Sequence, residues 1–335
     1  MQRTGFAISI FFLVSVCYAQ DTLRYCNPKL EGMGRSKGFN ITYERVFNSS
    51  ITSTSTDTSI VNSSGEINTN NKFDIFLRFP IWNRPGLKVV WGLRYYFEEF
   101  NFQSPDKLKY DLYRNLHDKN LKSLGTNFNI LKPLDALTYI GVRLLLEFNG
   151  DYNSKEFSKS SFLRYSVAAI YGRKPCPTKT WGFGVYYSYT FGRRSIYPVL
   201  VYSNTFNKKW GLEALFPANI KFRRNFSEKT LLYLGYEIEG GSYHLQFSNP
   251  PLGSINNLEL RRSNVRLSAD FEREIHDWLW FGISGGLRVP IGFNLAEQNE
   301  KEPIIKNKLS PAPFINFSIF IVPPRTLENK IINAR

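Results

Sequence analysis

Apolar and polar residues alternate along much of this chain. From Leu87 to Glu98 the odd positions are Leu, Val, Trp, Leu, Tyr and Phe, whereas Lys, Gly, Arg and Glu are among the even positions. The same period of two recurs over residues 73–81, 140–148 and 181–189. Such a period places apolar side chains on one face of a strand and polar side chains on the other. The pattern therefore predicts an all-β protein.

The predicted strands are long and numerous. Many reach about ten residues, whereas the strands of soluble β-sandwiches usually have about five or six. We count about thirteen, and because single-chain barrels usually have an even number, about twelve to fourteen is the predicted range. The predicted strands span 37–47, 71–82, 86–101, 121–131, 136–149, 161–172, 180–192, 196–206, 209–223, 229–247, 259–274, 278–293 and 312–322.

The composition of the two faces indicates which one is inside. The polar faces carry Gly, Ser, Tyr and charged residues, which is typical of a water-filled lumen. We therefore expect the apolar faces to contact lipid, in a single antiparallel transmembrane β-barrel. Aromatic residues near the ends of the apolar stripes fit girdles at the membrane interfaces: Trp82, Tyr95, Phe97, Trp181, Phe191, Trp210 and Trp280.

At two places the sequence pattern has to be tested for a turn within a predicted strand. Around Pro217 the even positions from Trp210 to Phe222 stay apolar, whereas a two-residue hairpin would exchange the faces, so we predict one continuous strand. Around Gly240 and Gly241 the apolar positions change from even to odd, which fits a bulge or a turn. We predict the bulge, because the segment that follows is shorter than the roughly nine to eleven residues of a spanning strand.

The connections between strands differ in length. Residues 48–70, 103–120 and 294–310 are long connections, and the first of them is rich in Ser, Thr and Asn. The connections at 83–86 and 132–135 are short. Since barrels have long outer loops and short periplasmic turns, we predict that the chain enters the barrel from the periplasm.

The amino terminus reads as a secretory signal peptide. Arg3 precedes an apolar stretch shorter than the roughly 20 residues of a spanning helix, and the stretch ends in Cys-Tyr-Ala. Lipid attachment at Cys17 is a weaker alternative, because the bulky Val16 precedes it. The predicted organisation is a signal peptide at 1–19, an N-terminal periplasmic tail at 20–35, an outer-membrane β-barrel at 36–323 and a C-terminal tail at 324–335.

Composition narrows the class further. The 335 residues are 42% hydrophobic, 16% aromatic and 21% charged, which argues against disorder and against a coiled coil. The formal charge is +15, with many Lys and Arg in connections, such as Lys107, Arg193, Arg194 and Lys301. These cations lack a stripe of stacking aromatics, so we do not expect nucleic-acid binding. They either meet lipopolysaccharide phosphates at the barrel rim or lie in solvated loops.

A resemblance to a known family rests on three short stretches, Trp210–Lys221, Leu234–Glu237 and Gly241–Leu245. They resemble a family of Gram-negative outer-membrane β-barrel proteins of unknown function. The resemblance implies a barrel and an outer-membrane location, and it implies no reaction.

The polar faces hold the most informative charges. If the barrel is open, they line a pore and select solutes; if they pair across the lumen, they fill it. Both interpretations stay open. The predicted lumen-facing charges are Asp74, Arg78, Arg94, Glu98, Arg143, Glu147, Glu213, Lys221, Arg223, Glu237, Arg266, Asp270, Glu272 and Arg288.

Cysteine and histidine are scarce. Beyond residue 19 only Cys26 and Cys176 remain, both predicted on the periplasmic side, so a disulfide between them is a hypothesis beside two free thiols. The alternation along the predicted strand places His244 on the lumen face with Ser242. A lipid hydrolase would need a His-Ser pair facing lipid. We therefore expect no catalytic site, no metal site and no cofactor.

Three functions remain in order of preference. The first is a channel or transport-type barrel, or a structural barrel without transport, with outer-membrane lipid as its partner and protein partners unknown. The second is a secreted soluble β-protein that binds a ligand or carbohydrate. The third is a barrel lipid hydrolase.

Overall fold

The structure is a computed structural model, which describes residues 29–153 and 160–326. The predicted signal peptide at 1–19 lies outside these residues. The strands are β1 (Phe39–Ser55), β2 (Ser63–Arg84), β3 (Leu87–Phe102), β4 (Leu121–Pro133), β5 (Thr138–Gly150), β6 (Leu163–Cys176), β7 (Lys179–Ser188), β8 (Ser195–Thr205), β9 (Trp210–Phe216), β10 (Asn219–Ser227), β11 (Thr230–His244), β12 (Leu258–His276), β13 (Leu279–Glu297), β14 (Ile305–Leu309) and β15 (Ala312–Ile321). The helices are α1 (Asp111–Lys119) and three 3₁₀ turns at Pro105–Lys107, Ser160–Phe162 and Leu252–Ser254.

The strands form one closed antiparallel sheet. Each of β1 to β13 pairs with the next, and β13 returns to β1 through β14 and β15. These last two strands share one position, because Leu309 pairs with Ile51 and Phe314 pairs with Val46 in the same register. Pro311 interrupts the ladder, since proline has no N–H to donate. The result is a barrel of 14 strands, which confirms the predicted fold class and strand range.

The apolar faces lie outward, as predicted. Large apolar side chains on the outer surface of neighbouring strands are exposed, among them Phe73, Leu77, Leu93, Leu124 and Leu144. On each strand, the residues that alternate with these outward side chains face the interior. Among the described residues, no helix is long and apolar enough to cross a membrane.

The prediction of one strand through Pro217 is wrong. The chain turns back there, and Asn219 of β10 pairs with Leu215 of β9. Three residues lie between the paired Leu215 and Asn219, so even positions pair with even positions, as Ile220 does with Ala214. The apolar face therefore stays the same through the turn, and the parity test excludes only a two-residue hairpin.

The predicted bulge at Gly240 and Gly241 is also wrong, although β11 is continuous there. Its pairing with β12 keeps one register from Thr230 to His244. Interior positions are odd throughout, and what changes is the surroundings of the strand. Below Gly240 the outer face meets lipid, and above it Tyr243 packs inside the barrel in an apolar core. The apolar residues thus change faces without a change in strand geometry.

The long loops were predicted too long. Strand β1 runs to Ser55 and β2 starts at Ser63, so most of the segment 48–70 is strand. The sequence did not predict these strand ends because their outer face is polar. They stand above the lipid belt, and their apolar residues, such as Ile51 and Ile67, point into the barrel. The connection 103–120 holds α1. The segment 294–310 contains the end of β13 and all of β14.

An apolar core fills one end of the barrel, which we call extracellular according to the predicted orientation, as we call the opposite end periplasmic. Leu112, Tyr113 and Leu116 of α1 point inward and are almost fully buried. They pack against inward side chains of the surrounding strands, which include Ile51, Ile67, Phe100, Phe102, Leu121, Leu260, Phe293, Leu295 and Ile305. We call this cluster, together with α1, the apolar core. It occupies the barrel axis with side chains in close contact, so it closes the axis on the extracellular side.

A contact across the barrel divides its extracellular part. Gly150 at the end of β5 pairs in parallel with His244 at the end of β11, and the amide of Asp151 donates to the His244 carbonyl over 3.2 Å. Strands β1–β5 and β11–β14 thus enclose the apolar core. Strands β6–β10 stand outside this ring, and their β9–β10 hairpin is the shortest of the barrel wall.

The periplasmic end is crossed by residues 29–38, which we call the N-terminal strap. The amide of Glu31 donates to the Pro177 carbonyl over 3.1 Å, and the Thr205 hydroxyl donates to the Glu31 carbonyl over 2.7 Å. Trp280, predicted in an outer girdle, lies inside this end, 2% exposed and stacked on Phe320 at 6.0 Å. Its prediction was wrong because a tryptophan near a strand end fits either face.

Candidate functional site

The middle of the barrel contains a polar cavity of about 250 Å³, which we call the central chamber. Because side chains alternate along the strands, most strands of the barrel point a charged or hydroxyl side chain into this cavity. Tyrosines and small hydroxyl residues separate the charges. Its lining includes Thr42, Glu44, Lys72, Asp74, Arg94, Tyr96, Arg143, Glu147, Ser166, Tyr186, Tyr189, Glu239, Tyr243, Arg262 and Arg266.

Four of these charges form a network that joins opposite strands. Lys72 of β2 lies 3.2 Å from Glu44 of β1 and 3.0 Å from Glu239 of β11. Arg266 of β12 contacts both carboxylates, with 2.6 Å to Glu239. Two cations and two anions therefore neutralise one another across the lumen. The network narrows the chamber and holds β11 and β12 against β1 and β2.

A second network lies just below the apolar core, around Glu98 of β3. Its carboxylate is fully buried and accepts from the Tyr96 hydroxyl and from the guanidinium of Arg262. Arg288 lies 3.4 Å away and also donates to Asn70 over 2.6 Å. One carboxylate thus serves two buried arginines. The sequence did not single out Arg262, whose strand end reads as polar on both faces.

The wall formed by β2 to β5 carries further predicted charges of the lumen. The Nε and Nη2 of Arg94 donate to the two carboxylate oxygens of Asp74, at 2.9 and 2.6 Å. Arg143 and Glu147 line the chamber from β5, and the Arg143 Nε is buried without a hydrogen-bond partner. Arg78 lies with its guanidinium 4.5 Å from the Phe76 ring. This wall therefore presents both arginines and carboxylates to the lumen.

A smaller cavity of about 150 Å³, the periplasmic chamber, continues the lumen downward. It shares Thr42, Glu237 and Arg266 with the central chamber. Lys221 lies 3.2 Å from Asp270 and 3.3 Å from Glu237.

Near the periplasmic mouth, Arg223 contacts Glu213 inside the barrel. Glu272 pairs with Lys37 of the strap over 2.6 Å. The predicted lumen charges therefore lie inside the barrel, most of them paired with a neighbour.

The N-terminal strap is fastened at Asp277, in the turn between β12 and β13. Arg35 of the strap and Arg325 of the carboxyl-terminal segment both pair with this carboxylate, at 3.0 and 2.5 Å. The backbone amide of Arg325 donates to Asp277, and with both guanidinium groups it lowers the pKa of the Asp277 carboxyl. Both ends of the barrel domain thus meet at one acid on the periplasmic rim.

The apolar core is fastened at Asp151, whose side chain is 1% exposed. It accepts from the Gln246 amide over 3.0 Å and from Asn115 of α1 over 3.0 Å. Lys119 of α1 pairs with it over 3.4 Å. This carboxylate therefore links α1 to the contact between β5 and β11.

A third cavity of about 490 Å³, the outer cleft, lies on the extracellular side, away from the axis. The connection between β7 and β8 forms one wall with Tyr189, Arg193 and Arg194, and Glu259 and Arg261 of β12 form another. Arg261 donates to Glu259 over 2.6 Å. Tyr189 lines both the outer cleft and the central chamber.

Ser242 and His244 are placed differently from the prediction. They lie on the face opposite Tyr243, and so outside the ring that holds the apolar core. The Ser242 hydroxyl donates to Glu259 over 2.7 Å, while the His244 ring packs edge-on against Phe162 at 4.8 Å. Serine and histidine thus have separate partners. Among residues 29–153 and 160–326, no group of His, Cys, Asp and Glu has the arrangement of a metal site.

Cys176 is disulfide-bonded, and the predicted partner Cys26 lies outside the described residues. The strap passes close to Cys176, since Glu31 bonds to Pro177 and Lys174 donates to the Lys29 carbonyl over 2.6 Å. The pairing with Cys26 stays a prediction.

Comparisons with known proteins address the family and the fold. The model of a family described as "Domain of unknown function (DUF6268)" matches residues 107–319, which confirms the resemblance to a barrel family of unknown function. No curated protein matches the chain.

Several solved structures are similar to this chain. The COG4313 outer membrane channel from Pseudomonas putida F1 is 12% identical, with 91% of this chain and 100% of that chain covered and a TM-score of 0.41. The toluene transporter TodX of P. putida is 8% identical, with 86% and 90% covered and a TM-score of 0.37. The NanC porin is 7% identical, with 84% and 98% covered and a TM-score of 0.34. With TM-scores below 0.5, these similarities assign no function to this chain.

Proposed function

This chain belongs to the family described as Domain of unknown function (DUF6268), and from that premise we propose that it is a non-enzymatic, channel-type barrel of the outer membrane. The conformation in which the apolar core closes the axis is the closed state of this channel. The solutes are small and polar. The family carries no activity with it, so the proposal rests on the interior of the barrel.

One observation supports the channel more than any other. The central chamber and the periplasmic chamber share lining residues, so polar space continues from the middle of the barrel toward its periplasmic end. A barrel with a purely structural role gains nothing from buried charges around empty space, because each costs desolvation energy. The same charges stabilise a polar solute or a file of water molecules.

A structural barrel without transport is the second candidate. It is favoured by the ion pairs that cross the lumen, such as Arg266 with Glu44 and Arg262 with Glu98. Planar-bilayer recordings separate the two. A channel gives discrete conductance steps, at least in brief openings, whereas a filled barrel gives none with the same protein-to-lipid ratio.

The proposed location is the outer membrane, supported by the belt of exposed apolar residues on the barrel wall. Envelope fractionation tests it. The chain is expected with the outer membrane and is expected to shift on a denaturing gel when boiled. Recovery as a soluble secreted protein would contradict the location and favour a ligand-binding β-protein.

Lipopolysaccharide phosphates are proposed to contact the extracellular basic residues. Lys301, Lys306 and Lys308 lie exposed beside the β13–β14 connection, on the side where such phosphates would stand. We expect added lipopolysaccharide to raise the temperature of the gel shift. The increase should be smaller when the three lysines are replaced by glutamine.

A further inference from the structure

We propose that small anionic solutes reach the central chamber through the outer cleft, past Tyr189, and not along the barrel axis. The inference rests on the proposed channel function and defines its route and its charge preference. It starts from the single residue that lines both cavities.

The axial route is blocked by packed apolar side chains. Leu112 and Leu116 of α1 are 0% and 1% exposed. The buried Asp151 holds α1 through Asn115 and Lys119. Opening the axis would require moving α1 out of the apolar core, at the free-energy cost of exposing its apolar face to water.

The wall beside the outer cleft is low. Hairpin β9–β10 ends at Phe216 and Asn219, while β8 continues upward to Ser195 and β11 continues to His244. Above the hairpin, β8 and β11 therefore have no strand between them. The β7–β8 connection spans this gap, with Gly192 packed against the backbone of β12.

The outer cleft and the central chamber adjoin at Tyr189, which lines both. Tyr189 stands between them, with its ring 5.8 Å from the Arg164 guanidinium. Arg164 in turn lies 3.4 Å from Glu259, which lines the cleft. In the proposed route, this ring and the neighbouring ion pair form the barrier between the two cavities. A rotation of that ring joins the two cavities without disturbing the apolar core.

The charges of the cleft select anions. Arg193, Arg194 and Lys301 are exposed on its walls, and Arg261 is neutralised by Glu259. Glu300 is the opposing acid among the exposed lining residues. A cleft with excess positive charge raises the local concentration of anions. Free anionic solutes and anionic lipid headgroups share this chemistry, so the test uses bilayers without anionic lipid.

The first experiment compares variants of the full-length barrel in phosphatidylcholine planar bilayers. Tyr189→Ala should increase the open probability or the conductance several-fold, whereas Tyr189→Phe, which keeps the ring, should behave like wild type. The matched control is Leu116→Ala, which opens space in the apolar core. Gel shifts on boiling verify that each variant is folded.

The second experiment measures the chloride-to-potassium permeability ratio. Replacing Arg193, Arg194 and Lys301 by glutamine should lower it by roughly two-fold or more. Replacing Lys107, Lys109 and Arg114, equal in charge but outside the cleft lining, should leave it near wild type.

The outcomes are distinct. A larger conductance with Leu116→Ala and not with Tyr189→Ala would place the route on the axis and overturn the inference while preserving the channel. Equal effects of the two charge-removal sets would overturn the cleft as the anion entrance. No conductance in wild type or in any folded variant would contradict the channel function itself, and the inference with it.

Discussion

The substitution Glu98→Gln tests whether the buried network below the apolar core stabilises the barrel. Glu98 is 0% exposed, and its carboxylate serves both Arg262 and Arg288. The substituted amide would keep the shape of the side chain and lose its charge, so two guanidinium groups would stay buried without an anion. At 3.4 Å and an effective dielectric constant of about 20, one such pair is worth about 5 kcal/mol before desolvation.

The net loss is smaller, because the carboxylate no longer needs to be dehydrated. Breaking a buried ion pair by removing one partner typically costs about 3–5 kcal/mol, and we expect Glu98→Gln to lower the free energy of unfolding by that amount. Urea unfolding of the barrel in lipid vesicles, followed by tryptophan fluorescence, measures it. Glu66→Gln, an exposed glutamate on β2, is the control, with an expected change within about 0.5 kcal/mol. A Glu98→Gln variant as stable as that control would refute the reasoning.

Three further predictions follow from other parts of the barrel. Leu116→Ala should destabilise the barrel by about 2–5 kcal/mol through a cavity in the apolar core, whereas Arg114→Ala on the exposed side of α1 should not; urea unfolding compares them. The pKa of Asp277 is lowered in the folded state, so its stabilisation is complete above the unfolded pKa of about 4 and is lost as the pH falls through the folded value. The protection factors of the strap amides, which remove the intrinsic pH dependence of hydrogen exchange, should therefore fall at acidic pH, and an Asp277→Asn variant that shows the same fall would contradict this. Mass spectrometry of the unreduced, alkylated protein should find Cys176 blocked and linked to Cys26; two alkylated cysteines would exclude the bridge.

The fold class was predictable because lipid on one side and water on the other impose the period of two. Where those surroundings change along a strand, the pattern no longer predicts bulges and turns correctly. At Gly240 the outer face of β11 leaves lipid and the inner face enters the apolar core, so the apolar parity changes in a regular strand. At Pro217 the chain turns back with three residues between the paired Leu215 and Asn219, so the same parity stays apolar on both strands. Alternation of apolar and polar residues shows what each face of a strand contacts. It shows only indirectly whether the chain continues or turns back.

The candidate site was partly predictable for the same reason. Inward charges such as Asp74, Arg94 and Glu147 follow from alternation alone. Their partners do not, because Arg262 meets Glu98 across the lumen, 164 residues apart. The role of Asp151 depends on α1 and on the contact between β5 and β11, which no local pattern shows.

Cysteine accessibility tests most directly whether a water-filled chamber lies beneath an apolar core. Thr42 lines the central and periplasmic chambers, whereas Ser53 is 1% exposed and hydrogen-bonded to Tyr113 of α1. In the reconstituted barrel, a small charged thiol reagent should modify Thr42→Cys within minutes and leave Ser53→Cys unmodified. Protection of both positions would mean a filled barrel, and equal modification of both would mean that the apolar core does not close the axis.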